Sequence, residues 1–209
     1  MSKKTVKTKT SGKTLPLVLA SGSLYRRQLL ERLGLPFTTV APRVDESPLP
    51  RERPAETALR LAEAKARAVG VDHRDALVIG SDQIAEFGGA PLGKPRDPGD
   101  ALEQLRAMRG RTVIFHTAIA LFNTRSGRCQ SALVDVASTF RTLDDAALKA
   151  YLERDRPFDC AGSVKAETIG IALFTRIASD DPTALIGLPL IRLTDMLVAE
   201  GVSPLVTKT

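Results

Sequence analysis

The run Leu15-Pro16-Leu17-Val18-Leu19-Ala20-Ser21-Gly22-Ser23-Leu24-Tyr25-Arg26-Arg27-Gln28-Leu29-Leu30 decides the fold class. Its first part, 15–20, is a short apolar run that reads as a buried strand. Ser21-Gly22-Ser23 turns it into a segment, 24–33, with Leu24, Leu29, Leu30 and Leu33 facing inward at helical spacing and Gly34 as the stop. A buried strand feeding a helix through a turn of small residues opens an α/β chain. The junction could also bind phosphate. A helix start offers free backbone N–H groups, Gly22 permits close approach, and Arg26 and Arg27 can pair with phosphate oxygens. Ser23 as an ordinary N-cap beside two solvated arginines explains the same residues, so the turn alone does not choose.

Outward from this run, 36–44 reads as a second strand ending at Asp45-Glu46. Pro48, Pro50 and Pro54 then mark a loop. A helix is expected over 55–69, where Ala55, Ala58, Leu59, Ala62, Ala66 and Val69 share a face. Residues 76–80 read as a buried strand with Ser81-Asp82-Gln83 at its end. Gly88-Gly89 and Pro91 form a turn leading to Gly93-Lys94-Pro95, and Asp97 caps a helix stopped by Gly110. The runs 111–122 and 128–141 flank a turn and predict an antiparallel hairpin. A helix over 144–154, a strand over 168–177 and a helix over 190–200 complete the chain. The fold class is α/β, a mixed sheet with flanking helices.

The chain has 209 residues, of which 43% are apolar and 26% charged, and a net charge of +6. That composition excludes collagenous, coiled-coil and wholly disordered classes, and the length suffices for a core without disulfides. Five of the basic side chains, Lys3, Lys4, Lys7, Lys9 and Lys13, lie in residues 1–14, which hold no acid. The rest is nearly neutral, so the charge is poor support for a nucleic-acid partner. The expected organisation is a disordered lysine-rich tail, 1–14, and a single domain over 15–203. Cys129 and Cys160 are read as two buried thiols of a cytoplasmic chain. No apolar run reaches the roughly eighteen residues of a membrane span, and 15–20 is shorter than the roughly seven to fifteen of a secretory signal.

Several further residues carry chemistry. Asp82 follows the buried run Leu77-Val78-Ile79, and strand ends are where open α/β sheets place ligands. It could activate a water or hold a hard cation, or merely cap a turn. Lys65 borders the buried face of its helix, where it either serves a cleft or snorkels. Lys94, stiffened by Gly93 and Pro95, could aim at a phosphate or be a surface lysine. Asp45-Glu46 follows a strand and could serve the same cleft, and Glu167, beside Lys165, has an exposed position as its plain reading. With only His73 and His116, no multi-histidine metal centre is available, and His116 reads as structural. Gly187-Leu188-Pro189-Leu190 reads as a turn opening the last helix.

In order, LASGSLYRRQLLERLG (19–34), Asp45-Glu46, LRLAEAKA (59–66), GSDQIA (80–85), LGKPRD (92–97), CAGSVKAETIGIALF (160–174) and ALIGLPLIRL (184–193) resemble the Maf-like nucleotide pyrophosphatases. The resemblance covers about residues 15–200. It implies an inosine-triphosphatase-like α/β fold with a cleft between two lobes, a molecule often found as a homodimer, and hydrolysis of nucleoside triphosphates to monophosphate and pyrophosphate. It also implies a divalent cation, Mg²⁺ or Mn²⁺, and a small-molecule nucleotide substrate; the placement of the charge and the short apolar runs are what argue for no nucleic acid or membrane partner. By this resemblance Asp82 is the general base, Ser21, Arg26, Lys65 and Lys94 handle phosphate, and Glu46 and Asp82 hold the metal. GSDQ, CAGS and Glu167 together resemble the subgroup acting on 7-methyl-GTP, in which Tyr25, Gln83 and Glu167 map to the base-selecting positions. The chain departs from the usual family pattern at Leu24, where proline is frequent, and at Tyr25, where the subgroup often has tryptophan. Rival expectations are dTTP or UTP hydrolysis, nucleotidyl transfer, and a nucleotide-binding regulator of cell division without turnover.

Overall fold

The computed structural model describes residues 14–206, so all but Thr14 of the expected tail lies outside the described residues. Seven strands form one sheet: β1 Leu17–Ala20, β2 Phe37–Val40, β3 Leu77–Phe87, β4 Ala90–Leu92, β5 Thr112–Asn123, β6 Cys129–Phe140 and β7 Phe174–Ala178. The order is β2-β1-β3-β5-β6-β7, with β4 paired to β3. β1 runs parallel to both neighbours, and every other pairing is antiparallel. Among the described residues five α-helices flank it: α1 Leu24–Glu31, α2 Pro54–Gly70, α3 Pro98–Met108, α4 Asp145–Asp155 and α5 Leu190–Ala199. The expected mixed α/β architecture is therefore present.

Apolar residues place these elements in three clusters. The alanine face of α2 (Ala58, Ala62, Ala66) packs with Val69 on one sheet face against Val18, Val78 and Ala120. On the opposite face, Leu29 and Leu30 of α1 and Leu193 and Leu197 of α5 meet Leu19, Ile79 and Leu121. Farther along that same face, Leu105 and Met108 of α3 and Leu148 and Leu152 of α4 meet Ala85 and Phe115. Each fully buried leucine contributes about 1.5–3 kcal/mol. β3 and β5 cross both of the latter clusters. At roughly 3.3 Å per residue their 11 and 12 residues span about 36–40 Å, so two lobes hang on one pair of strands.

Gly80 sets how closely α2 approaches. A Cβ there would lie 2.1 Å from the Ala62 carbonyl oxygen and 2.7 Å from the Ala66 nitrogen. Only a residue without a side chain lets the helix backbone press onto β3 at this point. Ser23, Asp97 and Asp144 cap α1, α3 and α4 by accepting backbone N–H bonds from Arg26, Asp100 and Ala147.

Several expectations need correction. The strand expected over 76–80 continues to Phe87, because Ser81, Asp82 and Gln83 stay paired with Ile119, Ala118 and Thr117 of β5. The second strand is only Phe37–Val40, since β1 offers it four partners. The expected strand over 168–177 begins instead as a 3₁₀ segment, Ile169–Leu173. There Gly170 lies so close to the Lys165 carbonyl that a Cβ would approach to 2.2 Å. Leu24 faces outward, 61% exposed, because the first turn of α1 borders an open cleft. Cys129 and Cys160 are half-buried rather than buried.

Candidate functional site

A gap in the sheet edge makes the site. β1 pairs with β3 up to Ala20↔Gly80, and on the same side β4 resumes pairing only at Leu92↔Ala85. Between them β3 has no strand neighbour on that edge among the described residues, and Asp82 and Gln83 lie in the opening. Asp82 thus lies mid-strand yet just beyond the parallel pairing, so the expected link between strand end and ligand position holds for β1. Successive strand residues face opposite sides. Asp82 accordingly meets α2, and Gln83 meets the 184–187 turn.

Two adjoining cavities, of about 570 and 470 Å³, open at this gap and share Gly22, Ser23, Arg26, Gln83, Lys94 and Ala161. The smaller holds Ser21, Glu46, Lys65 and Asp82. The larger holds Tyr25, Asp159, Cys160 and Glu167. All nine residues singled out in the sequence therefore border one continuous cleft, sorted into two chambers, with Arg26, Gln83 and Lys94 at the junction.

In the smaller chamber the Lys65 ammonium lies 2.6 Å from Asp82 Oδ1 and 2.6 Å from Glu46 Oε1. Lys65 and Asp82 are buried, while the Glu46 side chain is 62% exposed. The Lys65 hydrogen bond holds the Glu46 carboxyl below its ordinary value against partial desolvation, with Lys94 and Arg26 adding charge in the same direction. Arg26 donates from Nε to the Gly187 carbonyl at 2.9 Å, leaving its terminal nitrogens for other partners. Burial pulls the Arg26 guanidinium down from the usual arginine range, opposed by Asp82 and Glu46. Gly187 has φ 113°, and a Cβ would meet Arg26 Nε at 3.4 Å, so glycine suits both the backbone and its neighbour. Ser81 anchors the same carbonyl from β3 at 2.8 Å. Ser21 is buried, and its hydroxyl accepts the Ser23 N–H at 3.1 Å.

In the larger chamber Gln83 Nε2 donates to Thr117 Oγ1 at 2.9 Å and to the Ala184 and Leu185 carbonyls at 3.0 Å. Those acceptors fix the amide orientation and leave Oε1 as the acceptor for a ligand. Burial raises the Glu167 carboxyl above its ordinary value, with Lys165 acting against it. Tyr25 is half-buried, and burial raises its hydroxyl despite a Lys165 hydrogen bond.

Among the described residues no group of three or more His, Cys, Asp or Glu side chains could hold a metal ion. The donor set that does exist, Glu46 and Asp82, fits a small hard cation. Mg²⁺ is usually held by one or two carboxylates, with substrate phosphates and waters completing its sphere. Sequence reasoning missed Gly187, the backbone anchor of Arg26, and it missed Asp159, which lines the larger chamber. The GLP turn was visible, but nothing local tied its carbonyl to a side chain 161 residues away.

Fold and cleft together define an α/β protein whose ligand site is built at an open stretch of sheet edge, with a Lys65–carboxylate cluster in one chamber, Gln83 and Glu167 beside Tyr25 in the other, and Arg26 and Lys94 at their junction. The chain belongs to the Maf-like protein family, whose model matches residues 16–200. It is 56% identical over 189 residues to a 7-methyl-GTP pyrophosphatase of Thiobacillus denitrificans, covering 90% of this chain and 94% of that one. A protein of the same name from Ralstonia nicotianae is 57% identical over 182 residues, covering 87% and 94%. Another from Burkholderia pseudomallei is 58% identical over 188 residues, covering 88% and 87%. No helix of the described residues is long and apolar enough to cross a membrane.

Proposed function

We propose that this chain is a nucleoside triphosphate pyrophosphatase, acting as one domain over 15–203, that hydrolyses 7-methyl-GTP to 7-methyl-GMP and pyrophosphate. The observation that carries this reading is the sorting of the cleft: acceptor groups around an aromatic ring in one chamber, Lys65 with two carboxylates, Glu46 and Asp82, in the next, and Arg26 and Lys94 where the two join. The guanine edge presents N1–H and N2–H₂ donors, which match Gln83 Oε1 and the Glu167 carboxylate. An N7-methylated guanine is a cation, and the face of Tyr25 attracts cations. The names of the relatives agree with this substrate.

In this reading Asp82 orients the attacking water and takes its proton as the water oxygen bonds to the α-phosphorus. The α–β anhydride bond then breaks, and its bridging oxygen leaves with pyrophosphate. Lys65 keeps Asp82 fixed and places positive charge beside the reacting phosphoryl group. The terminal nitrogens of Arg26 and the ammonium of Lys94 hold phosphate oxygens at the chamber junction, and Ser21 offers a hydroxyl donor there. Glu46 and Asp82 would hold Mg²⁺ or Mn²⁺, which when bound neutralises phosphate charge and lowers the pKa of water. A cytoplasmic homodimer belongs to the same proposal, and light scattering tests its mass.

The deciding experiment is a panel of canonical and modified triphosphates scored for pyrophosphate release with Mg²⁺ and with Mn²⁺. The expected result is fastest release from 7-methyl-GTP, with one 7-methyl-GMP formed per pyrophosphate. A preference for dTTP or UTP overturns the base assignment, and nucleotide binding without release overturns the catalytic one.

A further inference from the structure

The larger chamber holds one carboxylate more than the guanine edge requires. Besides Glu167, its wall holds Asp159, on the loop between the C-terminus of α4 and the 160–167 segment. The Asp159 carboxylate is 61% exposed and lies 3.2 Å from Lys165 Nζ. Lys165 is not among the residues lining the cavity. Its ammonium sits 3.4 Å from the carbonyl oxygens of Asp155 and Arg156 at the end of α4. It lies 6.0 Å from the Tyr25 ring centroid. Lys165 is thus tethered to the helix end and keeps Asp159 beside the aromatic wall. Burial pushes the Asp159 carboxyl up, but the Lys165 hydrogen bond and charge outweigh it, so this carboxylate stays ionised. The cations that line this chamber, Arg26 and Lys94, lie at the opposite end, where it joins the phosphate chamber. The base end of the cleft thus has two carboxylates, Asp159 and Glu167, with the single ammonium of Lys165 set against Asp159, while Arg26 and Lys94 stand toward the phosphates.

We propose that Asp159 is a further specificity-determining residue, whose carboxylate favours a nucleobase bearing positive charge, an N7-alkylated purinium, over a neutral purine of the same shape. The inference rests on the base assignment above and adds its electrostatic source. A single opposite charge at a partly solvated site changes relative affinity by about two- to fivefold.

The test compares 7-methyl-GTP with 7-methyl-7-deaza-GTP, which keeps the methyl group and the guanine donors but not the charge. The ratio of kcat/KM values, charged over neutral, is measured for the wild type, Asp159→Asn and Asp159→Glu. Thermal melting checks that each variant is folded. The expected result is a ratio well above one in the wild type, reduced about two- to fivefold in Asp159→Asn and kept in Asp159→Glu. An unchanged ratio in Asp159→Asn, whether both substrates lose equally or neither does, overturns the proposal while leaving the pyrophosphatase reading intact. A wild type that releases no pyrophosphate from 7-methyl-GTP defeats the reading itself, and the proposal falls with it.

Discussion

Lys65 Nζ and Asp82 Oδ1 stand 2.6 Å apart, both side chains at or below 10% exposure, and this contact joins helix α2 to the open stretch of β3. Asparagine at position 82 can still accept the Lys65 hydrogen bond but cannot take a proton from water. Asp82→Asn is therefore expected to lower kcat by about 10²–10⁴-fold, the range of general-base contributions. Nucleotide affinity, followed by calorimetry, should change little. Pyrophosphate release at the wild-type rate would remove Asp82 from the mechanism.

Glu46 predicts a pH dependence. Its carboxyl is held low mainly by the Lys65 hydrogen bond, so folding with this pair favours the ionised form. A depressed folded-state value makes the contribution complete above the unfolded glutamate value of about 4.3 and lost as pH falls through the folded one. Between those values the wild type should lose stability on acidification more steeply than Glu46→Gln. Chemical denaturation across that window measures the difference, and identical slopes would contradict the assignment.

Gly80→Ala should damage stability and activity together. The new methyl group meets backbone atoms of α2, which cannot swing aside as a flexible side chain would. Overpacking of this kind typically costs about 1–3 kcal/mol. Lifting α2 also draws Lys65 away from Asp82, so turnover should fall by more than the unfolded fraction explains. A variant with wild-type melting and wild-type kcat would show that the helix has room to shift.

Cys160 lines the larger chamber, and burial with nearby Asp159 pushes its thiol up to about 12. The thiolate is the reactive form, so iodoacetamide should modify Cys160 far more slowly at pH 8 than it does a free thiol. Bound nucleotide should slow it further by covering the wall. Mass spectrometry of the alkylated peptides measures both rates, and modification as fast as a free thiol would mean the chamber is open at this point.

Much of the site was legible because its chemistry is encoded locally. Ser21-Gly22-Ser23 follows a short apolar run, so a turn at a strand end was readable without a partner. Lys65 keeps helical spacing with Ala58 and Leu61, which placed it at the edge of the buried face. The extent of β3 was not legible, because Ser81, Asp82 and Gln83 look like a turn until β5 supplies hydrogen bonds from some forty residues away. Leu24 misled for a related reason: periodicity reports one face of α1, but a cleft removes the packing from its first turn. The Gly187 carbonyl and Asp159 depend wholly on tertiary proximity, and no spacing rule reaches them.

The stretch between Gly80 and Ala85, paired with β5 but open on its other edge, also constrains how such a protein can change. Asp82 and Gln83 are covalent neighbours that serve opposite sheet faces, one for water activation and one for the base. Deleting or inserting a single residue between Gly80 and Ala85 would shift the phase of the strand and exchange the two tasks. A new base preference can thus arise by replacing side chains around Gln83, but not by changing the length of this segment. Substrate choice here is free to drift in chemistry while the chain length between its two pairing partners stays locked.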